Sequence, residues 1–168
     1  MTKYLTERLA KHHDRSVFDC GVAELNEYLR RRAGQDMRRR IAAVFVLVPR
    51  SEPDRIAGYY CLSAASLLLD ELPRTIVKKL PRYPSIPAVL IGRLARDVNF
   101  PGVGKLLLLD ALARSLRHSE DLAAAVVLVD VKDQRAASFY SGYGFTKLSG
   151  IGERMLLPMT AVEELLKA

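Results

Sequence analysis

The chain has 168 residues, of which 49% are hydrophobic, and this size favours one domain with a sizeable core over two complete domains. It contains no run of about 18 consecutive apolar residues, and its start lacks the apolar segment of a signal peptide, so we expect a cytoplasmic protein without a membrane span. Lys and Arg number 26 against 19 Asp and Glu, and the resulting charge of +7 favours a polyanionic partner.

The first half of the chain predicts a strand, an amphipathic helix and a hairpin. A strand is expected at 4–9, and the helix at 22–37 because apolar residues recur at helical spacing. Those apolar positions are Val22, Leu25, Leu29 and Ala33. Two β-rich runs, at 41–49 and 55–69, flank a turn with Pro53 and Asp54, which predicts antiparallel neighbours.

The second half alternates strands with helices. The predicted elements are a short helix at 71–80, a strand at 87–97, a helix from Leu106 to Leu116, a strand at 123–131, a helix between an Asp cap and a glycine at 133–144, and a closing hairpin at 145–159. The hydrophobicity of the helix from Leu106 predicts deep burial on all sides. This order predicts a mixed central β-sheet flanked by helices, an α/β fold, in a single domain of residues 1–168.

Gly102 and Gly104 separate a predicted strand from a predicted helix. The first amides of a helix have no internal partners and the helix dipole is positive there, so such a turn can hold a pyrophosphate. A tight turn without a ligand is the alternative. The segment is not a P-loop, because Asn99 and Leu106 stand where that motif needs glycine and Ser or Thr.

Two segments, "GRLARD…GVGKLLLLDAL" and "AASFYSGYGF", together resemble the GCN5-related N-acetyltransferase (GNAT) family. Four segments in order, "FDCGVAELNEYLRRRA", "IAGYYCLSAASL", "LPRYPSIPAVLIGRLARD" and "FYSGYGF", are similar to the acetyltransferase toxins of bacterial toxin–antitoxin systems. This resemblance, which covers nearly the whole chain, implies a GNAT fold and an acetyl-CoA-dependent N-acetyltransferase that acetylates aminoacyl-tRNA and blocks translation. It also implies a ribbon-helix-helix antitoxin as partner and allows a homodimer.

The resemblance implies that Tyr140 is the catalytic tyrosine, facing the thioester sulfur. The coenzyme A contacts that it implies involve Leu94, Ala95, Arg96, Gly102, Val103, Gly104, Lys105 and Phe139. Pro101 stands where these toxins usually have a glutamine, and the loop is about two residues shorter than theirs. Proline has no amide to donate, and the Lys105 ammonium is a point charge that compensates in part.

The residue types suit acyl transfer to an α-amine. A tyrosine, with a reference pKa of about 10, stays protonated near neutrality and can act as general acid toward a thiolate of pKa about 8.5. Tyr143 is the nearby alternative to Tyr140. The central strand has no Glu or His to deprotonate a lysine of pKa about 10.4, whereas an α-amino group of pKa about 7.7 to 8.0 is already partly neutral.

Clustered arginines form the predicted phosphate-neutralising set, with the solvated face of a helix as the alternative. They are Arg30, Arg31, Arg38, Arg39, Arg40, Arg93 and Arg96. Within "YYCLSAAS", Tyr60 and Ser63 are expected to line the acceptor pocket, or else to be ordinary hairpin residues.

No metal site is expected from the sequence. The adjacent histidines of "HHD" at 12–14 are expected to point apart and remain solvated, without a third ligand. Cys20 and Cys61 have no CxxC spacing and are expected to be small buried apolar residues.

Two other functions fit the sequence. One is an acetyltransferase of a small amine or of a protein N-terminus, in which the arginine runs are only surface. The other is a non-catalytic binding module, a degenerate GNAT fold that has lost its cofactor through the shortened loop.

Overall fold

A computed structural model describes residues 3–72, 74–78, 82–148 and 153–168. Its contacts group into two compact units: the first runs up to Ser63 and includes Gly92–Ala111, and the second comprises Ala64–Ile91 and the chain from Leu112 onward. The assignment of residues 1–168 to a single domain stays a prediction. No helix in the described ranges has the length and apolar character of a membrane span.

Within the residues that the structure describes, seven strands make a mixed sheet, as predicted. They are β1 (Tyr4–Arg8), β2 (Ala43–Pro49), β3 (Gly58–Leu68), β4 (Ser85–Arg96), β5 (Val126–Asp130), β6 (Thr146–Lys147) and β7 (Arg154–Pro158). Their hydrogen-bonded order is β1-β2-β3-β4-β5-β7-β6. β1 and β2, β2 and β3, β5 and β7, and β6 and β7 pair antiparallel, whereas β4 and β5 pair parallel.

The helices are α1 (Ala23–Glu27), α2 (Ala33–Arg38), α3 (Arg74–Val77), α4 (Val103–Asp121), α5 (Gln134–Ser141) and α6 (Met159–Lys167). A π-helical turn, Tyr28–Arg32, joins α1 to α2, and a short 3₁₀ turn, Leu69–Glu71, follows β3. The helix predicted at 71–80 reduces to α3 within the described residues. α6 was not predicted, although its buried Met159 and Val162 are spaced three apart, as on one helix face.

In the first unit, the helical segment packs on the sheet through Leu29 and Ala33, which are fully buried beside Phe18 and Tyr59. Val22 is 45% exposed, so its predicted place on the apolar face is wrong. Val22 has an extended backbone (φ −121°, ψ 111°) and lies directly before α1, so helical spacing does not apply to it.

The second unit has its own apolar core, in which Leu67, Ile86, Leu128 and Leu156 are buried. The predicted cap of α5 is confirmed, since the Asp133 side chain accepts a hydrogen bond from the Ala136 amide at 2.7 Å.

The long helix α4 begins at Val103, three residues before the predicted start. Leu107, Leu108 and Leu112 are fully buried, but Leu106 is 42% exposed. The expected burial on all sides is therefore wrong, because one face of the helix remains open to solvent.

Candidate active site

The predicted anion-binding residues lie together at the start of α4. Val103, Gly104 and Lys105 are the first three residues of the helix, so their amides belong to the turn that has no internal acceptors. Gly102, directly before it, has a φ of +87°, and a Cβ added there would meet no atom within 4 Å. Since the first turn contains no acidic residue, the positive end of the helix is not neutralised there.

Asp97 holds the turn that leads into this helix. Its side chain is fully buried, and its two carboxylate oxygens accept from the amides of Asp19 at 3.0 Å and Asn99 at 2.8 Å. Arg55 Nη2 lies 3.7 Å from the same carboxylate, and the Phe100 amide donates to the Asp97 carbonyl. This role of Asp97 was not predicted; an Asp two positions before an Asn in a turn was the available signal.

On β4, the predicted coenzyme A contacts differ in exposure. Leu94 and Arg96 are half-buried, whereas Ala95 is buried. Arg96 donates to the carbonyl of Asp97 at 3.3 Å, which restrains its guanidinium beside the turn.

Arg93, one of the predicted RNA-binding residues, stacks on an aromatic ring. Its guanidinium carbon lies 3.5 Å from the ring centroid of Tyr28, whose hydroxyl donates to Asp36 at 2.8 Å.

Burial raises the pKa of the neighbouring Cys61 thiol to about 12, and the charge of Arg93 opposes that rise. Cys61 is buried as predicted, whereas Cys20 is only half-buried; both are free thiols.

Tyr140 lies in the second unit, in the last turn of α5, and is 8% exposed. Its ring makes edge contacts with Phe139, at a centroid distance of 5.2 Å, and with Phe145, at 5.4 Å. Burial raises the pKa of Tyr140 to about 12. Within the described ranges its hydroxyl has no hydrogen-bond partner. The hydroxyl oxygen is not fully buried. With a pKa of about 12, the hydroxyl is protonated at neutral pH.

Tyr143, the alternative to Tyr140, is half-buried. Its ring contacts Phe139 edge-on at 5.4 Å. Phe139 thus contacts both tyrosine rings, which makes the nearby Tyr143 a matched control for Tyr140.

Two of the seven predicted phosphate-binding arginines, Arg93 and Arg96, lie on β4, and the other five fall into two groups. Arg30 and Arg31 are exposed but engaged, because Arg30 donates to the Phe18 carbonyl at 3.0 Å and Arg31 pairs with Glu27 at 2.9 Å. The other three arginines are exposed: Arg38, Arg39 and Arg40.

Tyr60 and Ser63, the predicted pocket residues, differ in exposure. Tyr60 is fully buried; its hydroxyl donates to Asp110 and its ring stacks on Phe45 at 5.4 Å. Ser63 is half-buried. A role of either residue toward substrate stays a prediction.

The expectation that the histidines point apart, remain solvated and lack a third ligand is wrong: His13 is buried, and ligand atoms of Glu7, His12 and His13 all lie within 4.8 Å of one another. The rings of His12 and His13 lie 4.0 Å apart, and both Nε2 atoms approach the Glu7 carboxylate, at 3.4 Å and 2.6 Å. His13 is buried, and its Nδ1 accepts from the Ala10 amide at 2.9 Å. The proton therefore lies on Nε2 and is donated to Glu7, so this nitrogen has no lone pair for a metal. The arrangement fits a structural hydrogen-bond network.

No protein-family model matches the chain. It is 29% identical over 163 residues to the probable toxin TacT of Sinorhizobium fredii, a match covering 92% of this chain and 90% of the relative. It is 27% identical over 140 residues to a tRNA-acetylating toxin of Mycobacterium tuberculosis, with 82% and 81% covered.

Solved structures agree with these relatives. A tyrosine-to-phenylalanine mutant of KacT superimposes with a TM-score of 0.90 and 27% identity, covering 98% of this chain and 99% of that one. AtaT complexed with acetyl-methionyl-tRNA gives 0.88 and 28%, with 97% and 99% covered. A tyrosine-to-phenylalanine mutant of AtaT, bound to the C-terminus of the antitoxin AtaR and to acetyl-CoA, gives 0.82 and 25%, with 99% and 100% covered.

The fold is that of the GNAT-type acetyltransferases. In sequence and fold this chain is similar to these toxins of toxin–antitoxin systems, and the resemblance found in its sequence is confirmed.

Proposed function

We propose that the chain is an acetyl-CoA-dependent N-acetyltransferase, a toxin that acetylates the α-amino group of aminoacyl-tRNA and so blocks translation. The M. tuberculosis relative acetylates tRNA, and AtaT has been solved with an acetylated methionyl-tRNA. The observation that carries the proposal is the buried Tyr140, whose protonated hydroxyl has no partner within the described residues.

The residues present fit acetyl-CoA. Gly102 borders open space, and the amides of Val103, Gly104 and Lys105 begin a helix without an acidic residue in its first turn. These groups would hold the pyrophosphate, with the exposed Lys105 adding a positive charge. Leu94, Ala95 and Arg96 of β4 would contact the pantetheine, and Phe139 would pack against the cofactor. Bound acetyl-CoA supplies the acetyl group as an activated thioester.

Tyr140 would act as the proton donor. Because its pKa is raised to about 12, the hydroxyl stays protonated at neutral pH and can donate to the departing thiolate. The acceptor amine needs no strong base, since an α-amino group of pKa about 7.7 to 8.0 is partly neutral near pH 7. A free lysine, at about 10.4, would be almost wholly charged.

The exposed Arg38, Arg39 and Arg40 supply positive charge for the tRNA backbone. The complex of AtaT with the C-terminus of AtaR supports an antitoxin as partner. That this antitoxin is a ribbon-helix-helix protein, that the toxin forms a homodimer, and that it acts in the cytoplasm on charged tRNA are parts of the same proposal.

A direct test is mass spectrometry of the acceptor after incubation with acetyl-CoA. We expect one acetyl group on the α-amine of an aminoacyl-tRNA and none on a lysine side chain of a peptide. Equal acetylation of a small amine or a peptide N-terminus without RNA would favour the general acetyltransferase. A lack of acetylation, together with no rise in Tm with acetyl-CoA, would favour the binding module, because a ligand of the folded state must stabilise it.

A further inference from the structure

Two guanidinium groups converge over Gly34 in α2. A Cβ added at Gly34 would lie 3.4 Å from Arg38 Nη1, 3.5 Å from Arg15 Nη1 and 3.9 Å from Arg15 Nη2. The missing side chain therefore leaves a small notch bordered by two cations. We call this the Gly34 notch, formed by Arg15, Gly34 and Arg38.

Arg15 is held in this position by the π turn. Its Nη1 donates to the carbonyl of Leu29 at 3.3 Å, inside the π-helical turn. Arg30, from the same turn, donates to the Arg15 carbonyl at 3.4 Å and to the Phe18 carbonyl at 3.0 Å. Main chain and side chain of Arg15 are thus both fixed, so a ligand would meet a site that is already arranged.

Within the described part of the chain, the charges of the notch are not balanced by a carboxylate. Among the described residues, no carboxylate forms an ion pair with Arg15 or Arg38; Asp36 accepts from the Tyr28 hydroxyl, and Asp14 accepts from Ser16. Burial, and then the charge of Arg38, lower the pKa of Arg15. Two neighbouring like charges repel each other, and an anion bound to both relieves that repulsion.

We propose that the Gly34 notch binds one backbone phosphate of the tRNA substrate. Each guanidinium presents several N–H donors in a plane, which suits the oxygens of a phosphate, and a contact of this kind positions nucleic acid without reading its sequence. The proposal rests on the proposed function, since the tRNA substrate supplies the phosphate. It adds Arg15 and Gly34 to the RNA-binding surface and assigns Arg38 a specific contact.

The proposed phosphate contact is tested by the affinity for fluorescently labelled, uncharged tRNA. The affinity is measured by anisotropy, without acetyl-CoA, over a range of salt concentrations. Gly34→Ala fills the notch without changing the net charge, and we expect roughly three- to fivefold weaker binding near 0.1 M salt. Because alanine favours a helix more than glycine does, the Tm of the Gly34→Ala variant is expected to rise. Arg15→Gln is expected to lower the slope of log affinity against log salt by about 0.9.

Lys167→Gln, on the exposed end of α6, removes one positive charge elsewhere and is the matched control. The proposal that the notch binds a phosphate would be overturned if Gly34→Ala bound tRNA with wild-type affinity. It would also be overturned if Lys167→Gln and Arg15→Gln lost equal affinity for tRNA. Wild-type protein that does not bind tRNA would overturn both the notch and the tRNA substrate. Notch-dependent tRNA binding without any acetyl transfer would overturn the proposed reaction and support the notch.

Discussion

The buried carboxylate of Asp97 accepts a hydrogen bond from the backbone amide of Asp19, 78 residues earlier in the chain, at 3.0 Å. Its other oxygen accepts from Asn99 at the start of the glycine turn. Asp97→Asn replaces one acceptor oxygen with a donor that faces an N–H group. We expect a loss of about 2 kcal/mol in the free energy of unfolding, measured in urea, and a higher KM for acetyl-CoA, because the turn before α4 loses its support.

Asp130→Asn is the control for Asp97→Asn, since Asp130 is exposed and pairs with Arg154 at the surface. Its effect on stability is expected to stay below about 1 kcal/mol. A stable Asp97→Asn variant with an unchanged KM would show that Asp97 does not support the turn.

Tyr60 tests how a buried hydroxyl contributes to the first unit. Tyr60→Phe keeps the stacking on Phe45 but removes the donor to Asp110. We expect a loss of about 1 kcal/mol in the free energy of unfolding. A higher KM for charged tRNA in the folded variant would support the predicted place of Tyr60 in the acceptor pocket. An unchanged free energy of unfolding would contradict the buried hydrogen bond.

Alkaline pH is expected to destabilise the fold. Burial raises the pKa of Tyr140 from 10.0 to about 12 and that of Cys61 from 9.0 to about 12. The stability from these protonated groups is present below their unfolded pKa values and is lost as pH rises toward 12. Urea unfolding at pH 8 and at about pH 10.5, above the reference tyrosine pKa of about 10, measures the difference.

Tyr140→Phe should show less of this alkaline loss than wild type. Tyr83→Phe is the control, because Tyr83 is 62% exposed. If both variants lose as much stability as wild type, the buried hydroxyl of Tyr140 does not contribute to the pH dependence.

Much of the fold followed from local patterns in the sequence. The β-rich apolar runs, the Asp133 cap and the glycine before α4 each favour one local conformation, and the structure has all three. The donors at Gly102, Val103 and Gly104 also lie next to each other in sequence, so their convergence needed no knowledge of distant contacts.

Features that depend on distant residues could not be predicted. Helical spacing does not indicate a π turn, and the Leu29 carbonyl that accepts from Arg15 lies inside that turn. The partner of Asp97 is Asp19, far away in sequence. Similarly, two adjacent histidines in the sequence do not indicate Glu7, whose carboxylate lies close to the Nε2 atoms of both rings.

The most direct test of the proposed reaction is the single-turnover rate of acetyl transfer from acetyl-CoA to charged tRNA by Tyr140→Phe, with Tyr143→Phe as control. We predict a loss of at least about 100-fold for Tyr140→Phe, a rate close to wild type for Tyr143→Phe, and an undiminished rise in Tm with acetyl-CoA for both. A wild-type rate in Tyr140→Phe would contradict the assignment of Tyr140 as the proton donor.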